Sequence, residues 1–250
     1  MKTVIVIPAR YGSSRLKGKP LREISGKPLI QWVFEGAMES KLADEVLVAT
    51  DDERIKGVVE GFGGRAVLTP PDVPSGTDRV YKAIEETDFD LVINLQGDEP
   101  MVRGDLLDAI IEELRRGEKI VTCAYHPENI DEIGDSNRVK VVLDESGYAL
   151  YFSRSPIPFI RSGRLRSGDF LIHGGVYGFE RETLKRFVRM GEGRLEKLEG
   201  LEQLRALERG IRIKVLLSDM PLYPVDTPSD LIRVERVIGT KHEFSEGRNR

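Results

Sequence analysis

One cysteine, three histidines and one tryptophan stand in 250 residues, so the chain is poor in the side chains that usually build disulfide frameworks and metal centres. A lone cysteine excludes an intrachain disulfide. Cys123, inside the apolar run Ile120-Val121-Thr122-Cys123-Ala124, reads as strand packing rather than as a nucleophile. No apolar stretch approaches the roughly eighteen residues of a membrane span, and no leader precedes the first strand, so a cytoplasmic protein without membrane insertion is expected. The net charge of −4 supplies no broad cationic surface and argues against a nucleic-acid partner. Internal repeats and low-complexity segments are absent too. What remains, 40% hydrophobic and 32% charged, is an ordinary folded chain. Its length suits a single α/β domain over 1–240, with 130–180 as a distinct subregion and 241–250 as a polar, frayed tail.

The first twenty residues organise the rest. Val4-Ile5-Val6-Ile7, bounded by Pro8, predicts a buried strand. A Gly/Ser loop carrying Arg10, Arg15, Lys17 and Lys19 follows. Strand followed by glycine-rich cationic loop is an architecture for phosphate, because glycine lets backbone N–H groups converge while the cations neutralise oxygens. A nucleotide is therefore the first ligand to consider.

Helical periodicity over Lys27–Lys41, with Pro28 in the first turn, leads to a strand at Glu45–Thr50, a helix from Asp52 to Gly61 opened by Asp51-Asp52, and a short strand at Val67-Leu68. This β-α-β-α-β run predicts a parallel sheet. Thr69–Arg79 is a proline-stiffened loop, with prolines at 70, 71 and 74, then Ser75, Gly76 and Thr77. Asp78 fits an N-cap and Arg79 a surface charge, or the loop holds a ligand at the sheet's carboxyl edge. Asp90–Leu95 is a fourth strand, and Gln96-Gly97-Asp98-Glu99-Pro100 leaves it. Asp98 reads either as a Mg²⁺ ligand beside phosphate or as a turn acid.

A helix at Asp105–Arg116 and a strand at Lys119–Ala124 follow, and then the pattern changes. Arg138–Leu143 and Tyr148–Phe152 predict an antiparallel hairpin turning at Asp144-Glu145-Ser146-Gly147. Ser153–Asp169 is an arginine-rich arm with Arg154, Arg161, Arg164 and Arg166. In Phe170–Glu180, His173 is either an interior histidine or part of a pocket rim opened by Gly174 and Gly175. Arg181–Arg189 and Glu196–Arg209 read as helices, Ile211–Leu217 as the last strand, and Ser229–Ile238 as the terminal helix, with Asp226 a cap or turn residue at its start.

Seven ordered segments, PARYGSSRLKGKPL at 8–21, SGTDRV at 75–80, NLQGDEP at 94–100, YFSR at 151–154, HGGVYGF at 173–179, LEQLRALE at 201–208 and VDTPSDL at 225–231, resemble the 3-deoxy-manno-octulosonate (Kdo) cytidylyltransferase family across nearly the whole chain. The resemblance implies an enzyme that activates Kdo with CTP, giving CMP-Kdo and pyrophosphate for lipopolysaccharide assembly. It implies a nucleotide-diphospho-sugar-transferase-like three-layer α/β sandwich, with a predominantly parallel mixed sheet and an inserted hairpin and arm, and a homodimer. By resemblance Ala9, Arg10, Pro74, Ser75 and Gln96 frame the cytosine and ribose, and Gly12, Ser13, Ser14, Arg15 and Lys19 receive the triphosphate. Asp98 and Asp226 hold Mg²⁺ and, with Arg15 and Lys19, form the catalytic set. Arg79, Gln96, Arg154, Arg161, His173, Tyr177 and Glu202 line the sugar pocket, and 130–180 serves sugar binding and dimerisation. Lys17 replaces a common proline and loosens the loop, and Gly174 stands where the family form resembles HIGIYAY, an expected widening or softening of the sugar pocket. An N-acylneuraminate-activating cytidylyltransferase and a noncatalytic CTP-binding regulator are the competing readings.

Overall fold

The computed structural model describes the chain apart from residues 13–15 and 247–250, and side chains are described through residue 239. In chain order, β1 (Thr3–Ala9) is buried at all seven positions and runs through Pro8. An unforeseen two-residue hairpin, β2 (Glu23–Ile24) with β3 (Lys27–Pro28), turns on Ser25 and Gly26, both at positive φ. It places Pro28 one step before α1 (Leu29–Met38) rather than inside its first turn. There follow β4 (Glu45–Thr50), α2 (Glu53–Gly61), β5 (Arg65–Leu68), α3 (Gly76–Ile84), β6 (Leu91–Leu95), α4 (Gly104–Arg115) and β7 (Ile120–Tyr125). After α5 (Asp131–Gly134) come β8 (Lys140–Leu143), β9 (Ala149–Ser153), β10 (Ile172–Glu180), α6 (Arg181–Arg189), α7 (Arg194–Glu199), α8 (Leu204–Glu208), β11 (Lys214–Leu217) and α9 (Pro228–Glu246).

These elements group into two compact units, the first comprising Val4–Thr87, Asn94–Leu107 and the chain from Tyr223, the second Met1–Thr3, Asp88–Ile93 and Asp108–Leu222. In the first, β1 pairs parallel to β4 and β4 to β5. The register sets Ala9 opposite Thr50 and Thr50 opposite Leu68, so three strands finish in one row and release their loops at one edge. α2 is capped by Asp52, which accepts the Arg54 N–H at 2.9 Å. Ser75, not Asp78, caps α3: its hydroxyl oxygen accepts the Asp78 N–H at 3.2 Å. Leu16, Ile24, Leu29, Val225, Val234 and Ile238 form a buried cluster that seats the start of the chain on α9. That helix reaches Glu246, beyond the expected end at Ile238 and into the stretch expected to fray.

In the second unit β7 lies between β11, parallel to it, and β10, antiparallel to it. The predicted hairpin is β8–β9, and Asp144 organises its turn by accepting N–H groups of Ser146 and Tyr148, both at 2.9 Å. Both units are α/β, and the strands that pair in parallel outweigh the single antiparallel β10 and the hairpin, as the resemblance implied. Lys140 is fully buried, and its ammonium donates to the carbonyls of Asp135, Arg138 and Arg154 at 2.9, 2.6 and 2.6 Å. Three acceptors satisfy a buried cation that burial otherwise disfavours, consistent with the lowering of its pKa. The helix expected over Glu196–Arg209 is two helices, because Gly200 adopts φ 62, a left-handed conformation that ends α7. A buried ion pair, Arg205 Nε to Glu196 Oε2 at 2.8 Å, then folds α8 back onto α7.

Candidate active site

The carboxyl-end loops of the first unit converge on one cation. After β1 the loop closes where the Gly18 N–H donates to the Tyr11 carbonyl at 3.0 Å, and Gly18 takes φ 68. Lys19 then opens a short 3₁₀ turn. Its ammonium donates to Asp98 Oδ2 at 2.7 Å and Asp226 Oδ1 at 3.1 Å. The Val225 N–H donates to the Asp98 carbonyl at 2.9 Å, a backbone tie that sets the two acids side by side. Burial alone would lower the Lys19 pKa, but charge and hydrogen bonds from both carboxylates outweigh it and hold it above 10.5. Asp226 is not the helix cap: Asp230 accepts the N–H groups of Asp226 and Thr227 at 3.1 and 2.8 Å, which leaves the Asp226 carboxylate to face Lys19. Asp98 stands in the turn that follows β6, with its carboxylate on Lys19.

The donor set fits a divalent cation. Two carboxylate oxygens from separate chain segments already share one positive charge, and their side chains keep 24% and 28% exposure, open to further ligands. No group of three or more His, Cys, Asp or Glu suited to a metal occurs among the described residues. Mg²⁺ matches that economy, since one or two carboxylates with substrate phosphate and water complete its shell.

Next to this cluster, Gln96 Nε2 donates to Asn94 Oδ1, and Asn94 Nδ2 to Thr77 Oγ1, each at 3.1 Å. Asn94 is buried in β6 and orients Gln96, a role the sequence betrays only as an amide inside an apolar strand. Gly76 is close enough to Gln96 Oε1 and Pro8 that a Cβ would stand at 3.6 and 3.7 Å, and a Cβ on Gly97 would meet the Pro8 carbonyl at 2.8 Å. The ends of β1 and β6 and the start of α3 therefore meet around Pro8, Gly76, Gly97 and Gln96, with Ala9 and Ser75 the adjoining residues in the chain. Arg10, Gly12 and Pro74 are exposed on the same loops, whereas Ser13, Ser14 and Arg15 lie outside the described residues. Arg79 is no surface charge: its side chain is 5% exposed, donates Nη2 to Asp51 Oδ2 at 2.9 Å and bonds Thr69, pinning the ends of β4 and β5. Asp51 thus serves as an anchor rather than a cap.

The other residues assigned to the sugar lie in the second unit. His173 and Tyr177 belong to β10, where five residues of that strand, 173 to 177, oppose only three of β7, Ala124 to Thr122. Residues four apart in a regular strand stand about 13 Å from each other. Here the bulge brings the two rings to 5.1 Å, and Phe152 packs edge-on against His173, also at 5.1 Å. Burial pushes His173 down to about 3, so it is neutral at physiological pH. Burial, then the nearby Glu202 carboxylate, raises the Tyr177 phenol well above 10. Arg154 spends its guanidinium on the carbonyls of Glu199, Ser136 and Gly200 at 2.7, 2.9 and 3.2 Å, and Arg161 is exposed on the arm. The expected widening at Gly174 does not occur. Position 174 faces away from His173, and a Cβ there would meet Leu222 Cδ1 at 2.6 Å and Cys123 Sγ at 2.7 Å.

A parallel α/β sheet edge presenting a cation between two carboxylates, beside an ordered amide, matches the class of nucleotidyltransferases. The family model described as cytidylyltransferase matches residues 4–213. A 3-deoxy-manno-octulosonate cytidylyltransferase of Thermodesulfovibrio yellowstonii is 47% identical over 96% of this chain and 99% of its own. An 8-amino-3,8-dideoxy-manno-octulosonate cytidylyltransferase of a Shewanella species is 48% identical over 94% of this chain and 98% of its own. A solved structure described as CMP:2-keto-3-deoxy-manno-octonic acid synthetase complexed with CTP shares 41% identity at a TM-score of 0.89, covering 96% of this chain and 100% of that one. The chain belongs to the 3-deoxy-manno-octulosonate cytidylyltransferase family.

Proposed function

We infer that the chain transfers the cytidylyl group of CTP to the anomeric hydroxyl of 3-deoxy-manno-octulosonate. The hydroxyl oxygen bonds to the α-phosphorus, the bond from that phosphorus to the β-phosphate oxygen breaks, pyrophosphate leaves, and the hydroxyl proton passes to solvent. The observation that carries this reading is Lys19 held between Asp98 and Asp226 at the carboxyl edge of a parallel sheet, in a chain of this family. Asp98 and Asp226 would hold Mg²⁺, which supplies charge neutralisation at the phosphate oxygens and lowers the pKa of the attacking hydroxyl. Lys19 supplies a fixed positive charge where charge develops on the leaving pyrophosphate, and Arg15 is assigned the same task. Gln96, oriented by Asn94, and the backbone at Ala9 and Ser75 frame the nucleoside. Arg79 and Arg154 act by holding loops, while His173, Tyr177 and Glu202 meet the sugar.

Relatives named for the 8-amino sugar are as similar as those named for the parent sugar, so the amino analogue is the second substrate to test. N-acylneuraminate activation and a noncatalytic CTP-binding role find no counterpart among these relatives. A homodimer and a cytoplasmic setting, where nucleoside triphosphates are made, complete the reading. The dimer is assigned to the arm, where Phe159 and Leu165, 89% and 43% exposed, join Ile130 from the start of α5, 49% exposed, in rimming an apolar cavity of about 400 Å³. Among the described residues no helix is long and apolar enough to cross a membrane. The test is pyrophosphate release from CTP and Mg²⁺, with each substrate omitted in turn. Release that needs both CTP and octulosonate, and that drops on the order of a hundredfold or more in Lys19→Met, is expected. Sugar-independent release would mean hydrolysis and would sink the proposal.

A further inference from the structure

We propose that Thr122 is a positioning residue for His173: its hydroxyl fixes the ring as the Nε2–H tautomer and leaves Nδ1 as a bare acceptor for a substrate hydroxyl. The proposal rests on the functional reading above for the nature of that substrate. It starts from proton bookkeeping at one oxygen. Thr122 Oγ1 stands 2.6 Å from the Val176 carbonyl and 2.9 Å from His173 Nε2. A carbonyl accepts only, so the single hydroxyl proton of Thr122 goes to Val176. The oxygen has only lone pairs left for His173, and Nε2 must bring the proton to that contact. A neutral imidazole carries one N–H, which leaves Nδ1 unprotonated.

The surroundings support each step. Val176 lies inside the bulged segment between His173 and Tyr177, and its carbonyl is taken up by a side chain of β7. The depressed pKa of His173 keeps the ring neutral, so the second nitrogen gains no proton near neutral pH. The ring packs against Phe152 and Tyr177, neither of which donates to Nδ1, and no described residue hydrogen-bonds that atom. An acceptor held in a fixed direction selects an O–H donor over an ether or carbonyl oxygen, which is the discrimination a polyhydroxylated sugar requires. Thr122 was legible in the sequence only as one member of a buried β-branched run, and valine would fill the same volume without either hydrogen bond.

The experiment uses the full chain labelled with ¹⁵N-histidine and two-bond ¹⁵N–¹H correlation spectra at neutral pH, with His173→Gln assigning one signal among the three histidines. The wild-type spectrum is expected to show protonated Nε2 and bare Nδ1 at His173. A protonated Nδ1, or an imidazolium, overturns the proposal without recourse to any variant. In Thr122→Val the Nε2–H loses its acceptor, so the proton is expected to move to Nδ1, and KM for octulosonate to rise about five- to tenfold with kcat and KM for CTP little changed. Thr122→Ser is expected to restore both spectrum and KM. An unchanged sugar KM in Thr122→Val, in an enzyme otherwise active, overturns the positioning role. A wild-type chain inert toward CTP and octulosonate would refute the functional reading instead, while the wild-type spectrum still decides whether Thr122 sets the tautomer.

Discussion

His173 shows what a neighbourhood does to one side chain. Its ring is packed against Phe152 and Tyr177, and burial lowers its pKa from the usual 6.5 to about 3. The unfolded chain therefore binds a proton that the folded chain refuses. The stability this contributes is fully present above pH 6.5 and is lost as pH falls toward 3. Urea unfolding from pH 7.5 to 5 is expected to show stability falling below about pH 6.5, and His173→Gln to flatten that limb. An unchanged slope in the variant would mean that the ring titrates normally. Arg79 carries the opposite lesson. Its surface reading failed because its partners, Asp51 and Thr69, stand 28 and 10 residues away, and no local pattern announces an ion pair closed by tertiary structure. Lys19 stands 79 and 207 residues from Asp98 and Asp226, farther still, yet each of the three sits in a segment that resembles the family.

Elements whose apolar pattern is continuous were read correctly: β1, β4, β6 and the β8–β9 hairpin appear where alternation and turn residues place them. Those that failed did so at single backbone conformations. The leucine stripe at 198, 201, 204 and 207 argues for one helix, but Gly200 in the left-handed region divides it, and the Glu196–Arg205 pair stabilises the fold-back. The side chains of that pair are 6% and 9% exposed, so removing one partner strands a buried charge. Arg205→Met is expected to cost about 3–5 kcal/mol in denaturant unfolding. Although burial favours the protonated acid, Arg205 and the Gly193 N–H prevail and keep the Glu196 pKa below 4.5. Its contribution is present above pH 4.5 and lost as pH falls through the lowered pKa, so the deficit of Arg205→Met should shrink in acid. A loss under 1 kcal/mol, or one independent of pH, would show that the pair does not hold α7 to α8. The glycine pair of HGGVY was likewise read as a rim. It is part of a strand bulge, and period-2 alternation turns Gly174 toward Cys123 and Leu222.

At the scale of the molecule, one unit holds the cation cluster and the oriented amide where its strands end, and the other holds the His173 and Tyr177 rings within β10. The sequence reached this level mainly through seven ordered segments, because composition alone offers only an ordinary folded chain. Assembly is the least legible feature. Phe159, 89% exposed on the arm, is unusual for a large aromatic and suits burial by a second copy of the chain. Sedimentation velocity is expected to give a dimer for the wild type and a monomer for Phe159→Asp, with unchanged helical content in both. A monomeric wild type at micromolar concentration would remove the arm from assembly. The most direct measurement of the central claim is the identity of the product formed from CTP, Mg²⁺ and an equimolar mixture of octulosonate, its 8-amino analogue and N-acetylneuraminate, followed by mass spectrometry. The account predicts a CMP-octulosonate, parent or 8-amino, with one pyrophosphate released per sugar consumed and no CMP-neuraminate; CMP-neuraminate as the main product, or pyrophosphate without any CMP-sugar, would contradict it.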